Sequence, residues 1–378
     1  MASDLQTGPW LETPQALDQW LAALPAGTPV GLDSEFERTT TFRAIPGLVQ
    51  VASPDDAYLI EPAVAEQAEG FKHWLADPEQ PKLLYAMSED AELFREWLGV
   101  DIHGVLDLQL AAALAGEGMS VGYARIVERL LGSPLDKEQT RSDWLQRPLT
   151  PEQVEYALAD VIHLHDLYDL LTDKLRDRDM LEAAWWETER FLADQQKNTS
   201  PEEYYLRLRG AWFLPPEKQG ALQALVEWRE KECRRRNRPR NRVLNDKALI
   251  ALAENLPGNR NQLSRIDGLP PVVVRKYHEQ LLDLIADASK NKVTPEQLVP
   301  APLTREEQGV YRELKGLIQP LAEAADVPME LLAPRRKLEA IVRDALREGR
   351  PPEELETGWR GNLLAPVQEQ IRALLSDS

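Results

Sequence analysis

A single cysteine, Cys233, stands in the 378 residues. It excludes an intramolecular disulfide framework and a cysteine-based zinc site, and its simplest role is packing. No stretch approaches the roughly 18 uninterrupted apolar residues that a membrane-spanning helix needs. Residues 1–10 lack a basic region followed by an apolar run, so no secretory signal is expected. The chain is therefore expected to be soluble and cytoplasmic, and nothing in it calls for an obligate protein partner. Positive charge is also short. Lys and Arg number 44 against 63 Asp and Glu, giving a net charge of −19. That balance argues against a protein that coats polyanions generally. It leaves room for a nucleic-acid enzyme with a local basic surface. What is plentiful is core material: 43% of residues are hydrophobic, ample for packed domains rather than disorder. The length suggests two or three domains.

The first half of the chain mixes strands and helices. Strand patterns cover residues 29–36, 47–52, 57–60 and 82–87, and a fifth is expected at 104–110; Ser53-Pro54-Asp55-Asp56 marks a turn. Helical patterns cover 70–76, 90–98, 121–131 and 151–175. This alternation indicates an α/β layer structure. Beyond about residue 200 only helical patterns remain. Thr13-Pro14, Thr150-Pro151, Ser200-Pro201 and Thr294-Pro295 each set a capping hydroxyl before a proline suited to a first helical turn. Thr150 and Thr294 also have Gln153 and Gln297 three residues on, the pattern of a capping box. Pro295, Pro300 and Pro302 make residues 291–304 a linker with one short helical piece. The expected partition is 1–200, 204–290 and 303–378, the last two being helical units of similar size.

Three acidic features carry the chemistry. Asp33 and Glu35 lie two apart on a strand, so their side chains leave the same face. Tyr156 and Asp160 are four apart on a helix whose apolar stripe is Val154, Ala157, Leu158, Val161 and Tyr168, so they share a face away from it. Asp90 stands where a buried strand gives way to a helix. An acid there can simply cap the helix. It can also project from the carboxyl end of a strand, where open α/β sheets place their sites.

In combination, Asp33-x-Glu35, Asp90 and Tyr156-x-x-x-Asp160 resemble the tyrosine-containing subclass of the DEDD exonuclease superfamily. The surrounding blocks are similar to the ribonuclease D family: Leu32-Asp33-Ser34-Glu35-Phe36, Gly47-Leu48-Val49-Gln50, Ser88-Glu89-Asp90, Asp107-Leu108-Gln109-Leu110-Ala111-Ala112, Arg141-Ser142-Asp143-Trp144 and Tyr156-Ala157-Leu158-Ala159-Asp160. Leu108 stands where that family places Thr, and Phe42-Arg43-Ala44-Ile45-Pro46 departs from its usual pattern. Neither change touches a presumed ligand. The resemblance implies a ribonuclease-H-like exonuclease domain with a mixed sheet flanked by helices. Two all-α HRDC-like bundles would come after it, the first around Leu263, Ile266-Asp267-Gly268-Leu269 and Tyr277. The second is a more divergent copy, with Arg335-Arg336-Lys337-Leu338-Glu339 and Gly358-Trp359-Arg360.

The activity implied is 3′–5′ exoribonuclease action, releasing nucleoside 5′-monophosphates from RNA with a free 3′ end, such as tRNA precursors. Two divalent metal ions, Mg²⁺ or Mn²⁺, would relieve the repulsion among four clustered acids and stabilise attacking and leaving oxygens. By resemblance, Asp33, Glu35 and Asp160 hold one ion, Asp33 bridges to a second supported by Asp90 through water, and Tyr156 orients the attacking water. Other readings are a DNA exonuclease of the same superfamily and a catalytically quiet nucleic-acid-binding protein, against which the complete acid set argues.

His163, one turn beyond Asp160, supports the site or is a partly exposed polar residue. Lys231, Arg234, Arg235, Arg236, Arg238, Arg240 and Arg242 form the one dense basic run. It either contacts RNA phosphates, chiefly through Arg234, Arg235, Arg236 and Arg238, or is a helix end paired with nearby acids. Trp185 and Trp186 are expected to pack a junction between domains.

Overall fold

A computed structural model describes residues 10–135, 142–197, 200–291 and 293–376. Arg141 lies outside the described residues. The contacts divide the chain into two compact units. One comprises Met1–Glu37, Pro46–Leu192 and Leu303–Ser378, and the other Arg38–Ile45 and Ala193–Pro302.

The first unit is built on a mixed five-stranded sheet. Its strands are β1 (Val30–Glu37), β2 (Ile45–Ala52), β3 (Ala57–Ile60), β4 (Lys82–Leu84) and β5 (Val105–Asp107), in the order β3-β2-β1-β4-β5. β2 and β3 run antiparallel, with Val49 opposite Ile60. The turn between them closes with the Ser53 N–H donating to the Asp56 carbonyl at 2.7 Å. β4 runs parallel to both β1 and β5. Leu32, Val49, Val51, Ile60 and Leu84 are fully buried with Phe71, Leu75 and Phe94 from helices on the same side.

Several elements end earlier than their hydrophobic patterns. β4 stops at Leu84 because Ala86 turns the chain through a positive φ of 62°, and the next helix is Ser88–Leu98. β5 stops at Asp107, not Leu110. The Asp107 carboxylate accepts from the N–H of Gln109 at 2.8 Å and so opens the helix Leu108–Leu114. It also accepts from the N–H groups of Ala86 and Met87, tying the two strand ends together. The helical pattern at 151–175 is two helices, Pro151–Ile162 and Leu164–Asp177, broken at His163. The capping box of Thr150 and Gln153 is present.

In the helical half, Ser200-Pro201 opens a turn leading to a short 3₁₀ segment, not an α-helix. Thr294-Pro295 begins no helix either. That segment is held irregular by two contacts: Tyr205 Oη donates to the Gln297 carbonyl at 2.6 Å, and the Val299 N–H donates to Gln219 Oε1 at 2.7 Å. The box that does form in this region is Thr304 with Glu307, at the head of the helix Arg305–Ala324.

The second unit packs the helices Pro216–Arg236, Asp246–Asn255 and Pro271–Asn291 around Leu222, Leu225, Leu249, Leu252, Tyr277 and Leu281. Cys233 is buried in this core, where desolvation pushes its thiol up to about 11. The C-terminal helices instead share a core with the sheet domain, in which Leu314, Ile318 and Val342 cluster with Leu167, Leu171 and Leu175. Trp185 packs against this cluster, whereas Trp186 is half exposed beneath the guanidinium groups of Arg190 and Arg360. A buried ion pair joins the two parts: Glu187 accepts from Arg360 at 3.0 Å and from Trp359 Nε1 at 2.7 Å. Arg360 also donates to the carbonyls of Leu331 and Leu332, so none of its donors is stranded.

Candidate metal centre and active site

β1 sends Asp33 and Glu35 to one side, as its period of two requires. The helix Pro151–Ile162 crosses the strand closely enough to meet them. Gly31 permits this approach: a Cβ there would lie 3.1 Å from Leu164 Cδ1 and 3.4 Å from the Val161 carbonyl oxygen. Asp160, on that helix, comes to the pair, and one ligand oxygen from each of Asp33, Glu35 and Asp160 lies within 4.8 Å of the others. Tyr156, one turn earlier, donates its hydroxyl hydrogen bond to the Asp160 carboxylate. Asp90 sits in the first turn of Ser88–Leu98, is buried, and accepts from the Ser34 hydroxyl. It lines the same cleft but lies outside the close triad. The cleft, of about 420 Å³, is also lined by Tyr85, Ala86, Glu89, Tyr123 and Leu164.

The electrostatics of the cluster arise from burial and mutual repulsion. Desolvation raises the Asp33 carboxyl well above the usual range, and the charges of Asp90, Asp160 and Glu35 add to it. Glu35 is pushed up to about 9 by burial and by Asp160 and Asp90. Asp90 is raised to about 7 by burial, against the stabilising hydrogen bond from Ser34. Asp160 is likewise raised to about 7 by burial, with Tyr156 opposing. Near neutral pH the bare cluster therefore retains protons. A hard divalent cation fits this donor set, because all the donors are carboxylate oxygens and their shared negative potential is what a cation relieves.

Tyr123 is a feature that sequence reasoning missed. Its Oη donates to the Ala159 carbonyl at 3.0 Å, next to Asp160, and its ring meets Tyr85 edge-on at 5.3 Å. Tyr85 Oη in turn donates to the Val121 carbonyl at 2.6 Å. The pair buttresses the helix bearing Asp160. Ser34 was also missed, although it lies between two named acids. His163 ends its helix and does not line the cleft; burial lowers its imidazole pKa, with Asp166 opposing.

The basic run is largely paired. Arg234 and Arg240 both donate to fully buried Glu230, Arg235 donates to Glu232, and Arg236 donates to Tyr277 Oη at 2.6 Å. Arg238 is exposed and makes no ion pair among the described residues.

The chain is similar to known proteins along most of its length. Residues 9–176 match the family model of a 3′–5′ exonuclease, 218–285 match the HRDC domain, and 308–367 match the C-terminal HRDC domain of ribonuclease D. The chain is 36% identical over 356 residues to ribonuclease D of Pseudomonas paraeruginosa, covering 93% of each. It is 32% identical over 368 residues to ribonuclease D of Escherichia coli K12, covering 96% of this chain and 97% of that protein. The crystal structure of Escherichia coli RNase D superposes with a TM-score of 0.85 at 31% identity, over 97% of this chain and 99% of that one. That protein is described as an exoribonuclease involved in structured RNA processing.

Proposed function

Since this chain belongs to the ribonuclease D family and is a 3′–5′ exoribonuclease, we propose that it hydrolyses RNA from the 3′ end by a two-metal-ion mechanism, releasing nucleoside 5′-monophosphates. The observation that supports this most directly is the convergence of Asp33, Glu35 and Asp160, with the Tyr156 hydroxyl on Asp160. Asp33, Glu35 and Asp160 would hold one ion, and Asp33 and Asp90 would support a second. When bound, a pair of divalent cations, Mg²⁺ or Mn²⁺, supplies positive charge to the attacking water and to the oxygen leaving phosphorus. Tyr156 directs the attacking water by hydrogen bond. Its unperturbed pKa near 10 suits positioning rather than proton abstraction. Tyr123 and Tyr85 hold the helix that carries Tyr156 and Asp160 in register.

Residues 1–200 carry the hydrolysis, while 204–290 and 303–378 are helical modules that serve RNA. Arg234, Arg235, Arg236 and Arg238 contribute positive surface for phosphates, and Arg238 is the member whose charge is not spent internally. The substrate is RNA with a free 3′ end, tRNA precursors being the natural class, in the cytoplasm. No helix among the described residues is long and apolar enough to cross a membrane.

The deciding assay follows the shortening of 5′-labelled RNA and matched DNA and identifies the mononucleotides released from uniformly labelled strands, with Mg²⁺ and with EDTA. Stepwise, metal-dependent shortening of RNA with 5′-monophosphate products is the expected result. Equal hydrolysis of DNA would replace the substrate class, and no release from either would leave a binding protein.

A further inference from the structure

The segment Arg38–Ile45 leaves the strand that bears Asp33 and Glu35 and returns as β2, yet it packs in the second unit. Its anchor is Phe42, whose side chain is buried in the helical core. Two guanidinium groups lie over the ring, with the Arg234 and Arg240 Cζ atoms 4.8 and 4.9 Å from its centroid. Both guanidiniums are set by one buried acid. Glu230 accepts from Arg240 Nε at 2.9 Å, Arg240 Nη2 at 2.8 Å, Arg234 Nη1 at 3.1 Å and Arg229 Nη2 at 3.0 Å. A desolvated carboxylate holding these cations makes their places over the ring geometrically fixed.

The backbone of the segment is gripped as well. Asn237 Oδ1 accepts from the N–H of Phe42 at 3.1 Å and of Arg43 at 2.9 Å. Asn237 ends its helix in the left-handed region, at φ 47°, which aims the side chain along the helix end. Arg43 returns a hydrogen bond to the Arg234 carbonyl at 3.3 Å. The paired arginines of the basic run thus have a use other than phosphate binding.

Beyond Phe42 the chain runs directly to the site. Ile45 opens β2, and at Gly47 that strand lies against β1. A Cβ there would sit 3.1 Å from the Glu35 carbonyl oxygen and 2.8 Å from Trp144. Arg147 pins the Gly47 carbonyl at 2.5 Å, and the Trp144 ring lies 6.0 Å from that of Tyr156. The start of β2 is therefore wedged between the strand carrying Glu35 and the tryptophan that backs Tyr156.

We infer that Phe42 and Asn237 are positioning residues for hydrolysis: the first helical module, through the cradle of Glu230, Arg234, Arg240 and Asn237, fixes the β1–β2 connection and so holds Glu35 and Tyr156 in catalytic register. This rests on the exoribonuclease reading above.

The test uses full-length protein carrying Phe42→Ala, Phe42→Tyr or Asn237→Gly. The glycine keeps the left-handed backbone and removes only the acceptor. The Tyr variant keeps the ring, and its hydroxyl can point into the open cleft that Phe42 lines. On a short single-stranded RNA, kcat is expected to fall about ten- to a hundred-fold in Phe42→Ala and Asn237→Gly, as small misplacements of catalytic groups do. KM should change little, and Phe42→Tyr should retain most of kcat. Hydrogen exchange on metal-free protein gives an independent reading, with faster exchange expected in β2 of Phe42→Ala than in the native chain. A folded variant with native kcat, a loss confined to KM, or a Tyr variant as poor as Ala would each overturn the inference. If Phe42→Ala does not fold, Asn237→Gly decides by the same criteria. A native protein that shortens no RNA would defeat the exoribonuclease reading instead, and the exchange rates would still show whether the anchor holds β2.

Discussion

Asp33, Glu35, Asp90 and Asp160 are costly to keep together, and that cost makes their role measurable. Asp33→Asn, Glu35→Gln, Asp90→Asn and Asp160→Asn are each expected to lower the rate of RNA shortening by orders of magnitude while the protein stays folded. A variant with near-native turnover would lose its assignment as a ligand. The metal-free fold should respond in the opposite sense. Ordinary carboxylates titrate near pH 4 in the unfolded chain, whereas in the fold Asp90 and Asp160 are raised to about 7 and Glu35 to about 9. Between those limits the folded form binds more protons than the unfolded one, so stability falls as pH rises. In EDTA these acids should lower Tm from pH 5 to pH 9, against the opposite contribution of buried Lys82, whose ammonium is lowered to about 7. Asp33→Asn should therefore raise Tm at the alkaline end relative to the native chain, and a variant profile parallel to the native one would contradict the raised carboxyls. The strand pair Asp33 and Glu35 was legible because alternation fixes a common face. Ser34 was not, because its partner Asp90 is brought to it by a helix 56 residues away, and no local pattern carries that information.

Glycine at two crossing points decides how closely the elements holding these acids approach. Gly47 is the more constrained, since an added Cβ would fall 2.8 Å from both the Cβ and the carbonyl oxygen of Trp144. Backbone cannot step aside as a flexible side chain can. Gly47→Ala is therefore expected to cost about 1–3 kcal/mol as overpacking, read as a lower urea midpoint with unchanged slope. Its kcat should fall too, because Trp144 backs Tyr156; an unchanged midpoint would show that the crossing has slack. The elements themselves were readable wherever a local signal sufficed, as at Thr150 and Gln153. They were misread where a tertiary contact overrode one. Thr294 and Gln297 carry the pattern of a capping box, yet Tyr205 and Gln219 claim the backbone around Gln297 and Val299. Asp107 looked like strand interior because the apolar run continues past it, but its carboxylate caps a helix.

Across the whole molecule, a net charge of −19 means that RNA approaches against the long-range field. Sequence shows the basic run that could offset this field but not which members are already neutralised, since that depends on Glu230 and Glu232 lying beside them. Arg234 and Arg240 are bound to Glu230 and Arg235 to Glu232, so their outward field is reduced. Arg238, exposed and without an ion pair among the described residues, retains its full charge. If it meets a phosphate, Arg238→Gln should weaken binding of all RNA sequences alike. The slope of log affinity against log salt should then shrink by about 0.7, the increment for one single-strand contact. Hydrolysis of a short RNA confined to the metal cleft should keep its kcat, and long RNA should lose affinity through KM. Arg234→Gln should behave differently, because it removes one cation from the Phe42 cradle and so should lower kcat on the short RNA as well. Salt titrations of binding, run beside kinetics on a short and a long RNA, separate the two. An unchanged slope in Arg238→Gln would take Arg238 out of phosphate binding and leave Arg242 as the other exposed member of the run without an ion pair among the described residues.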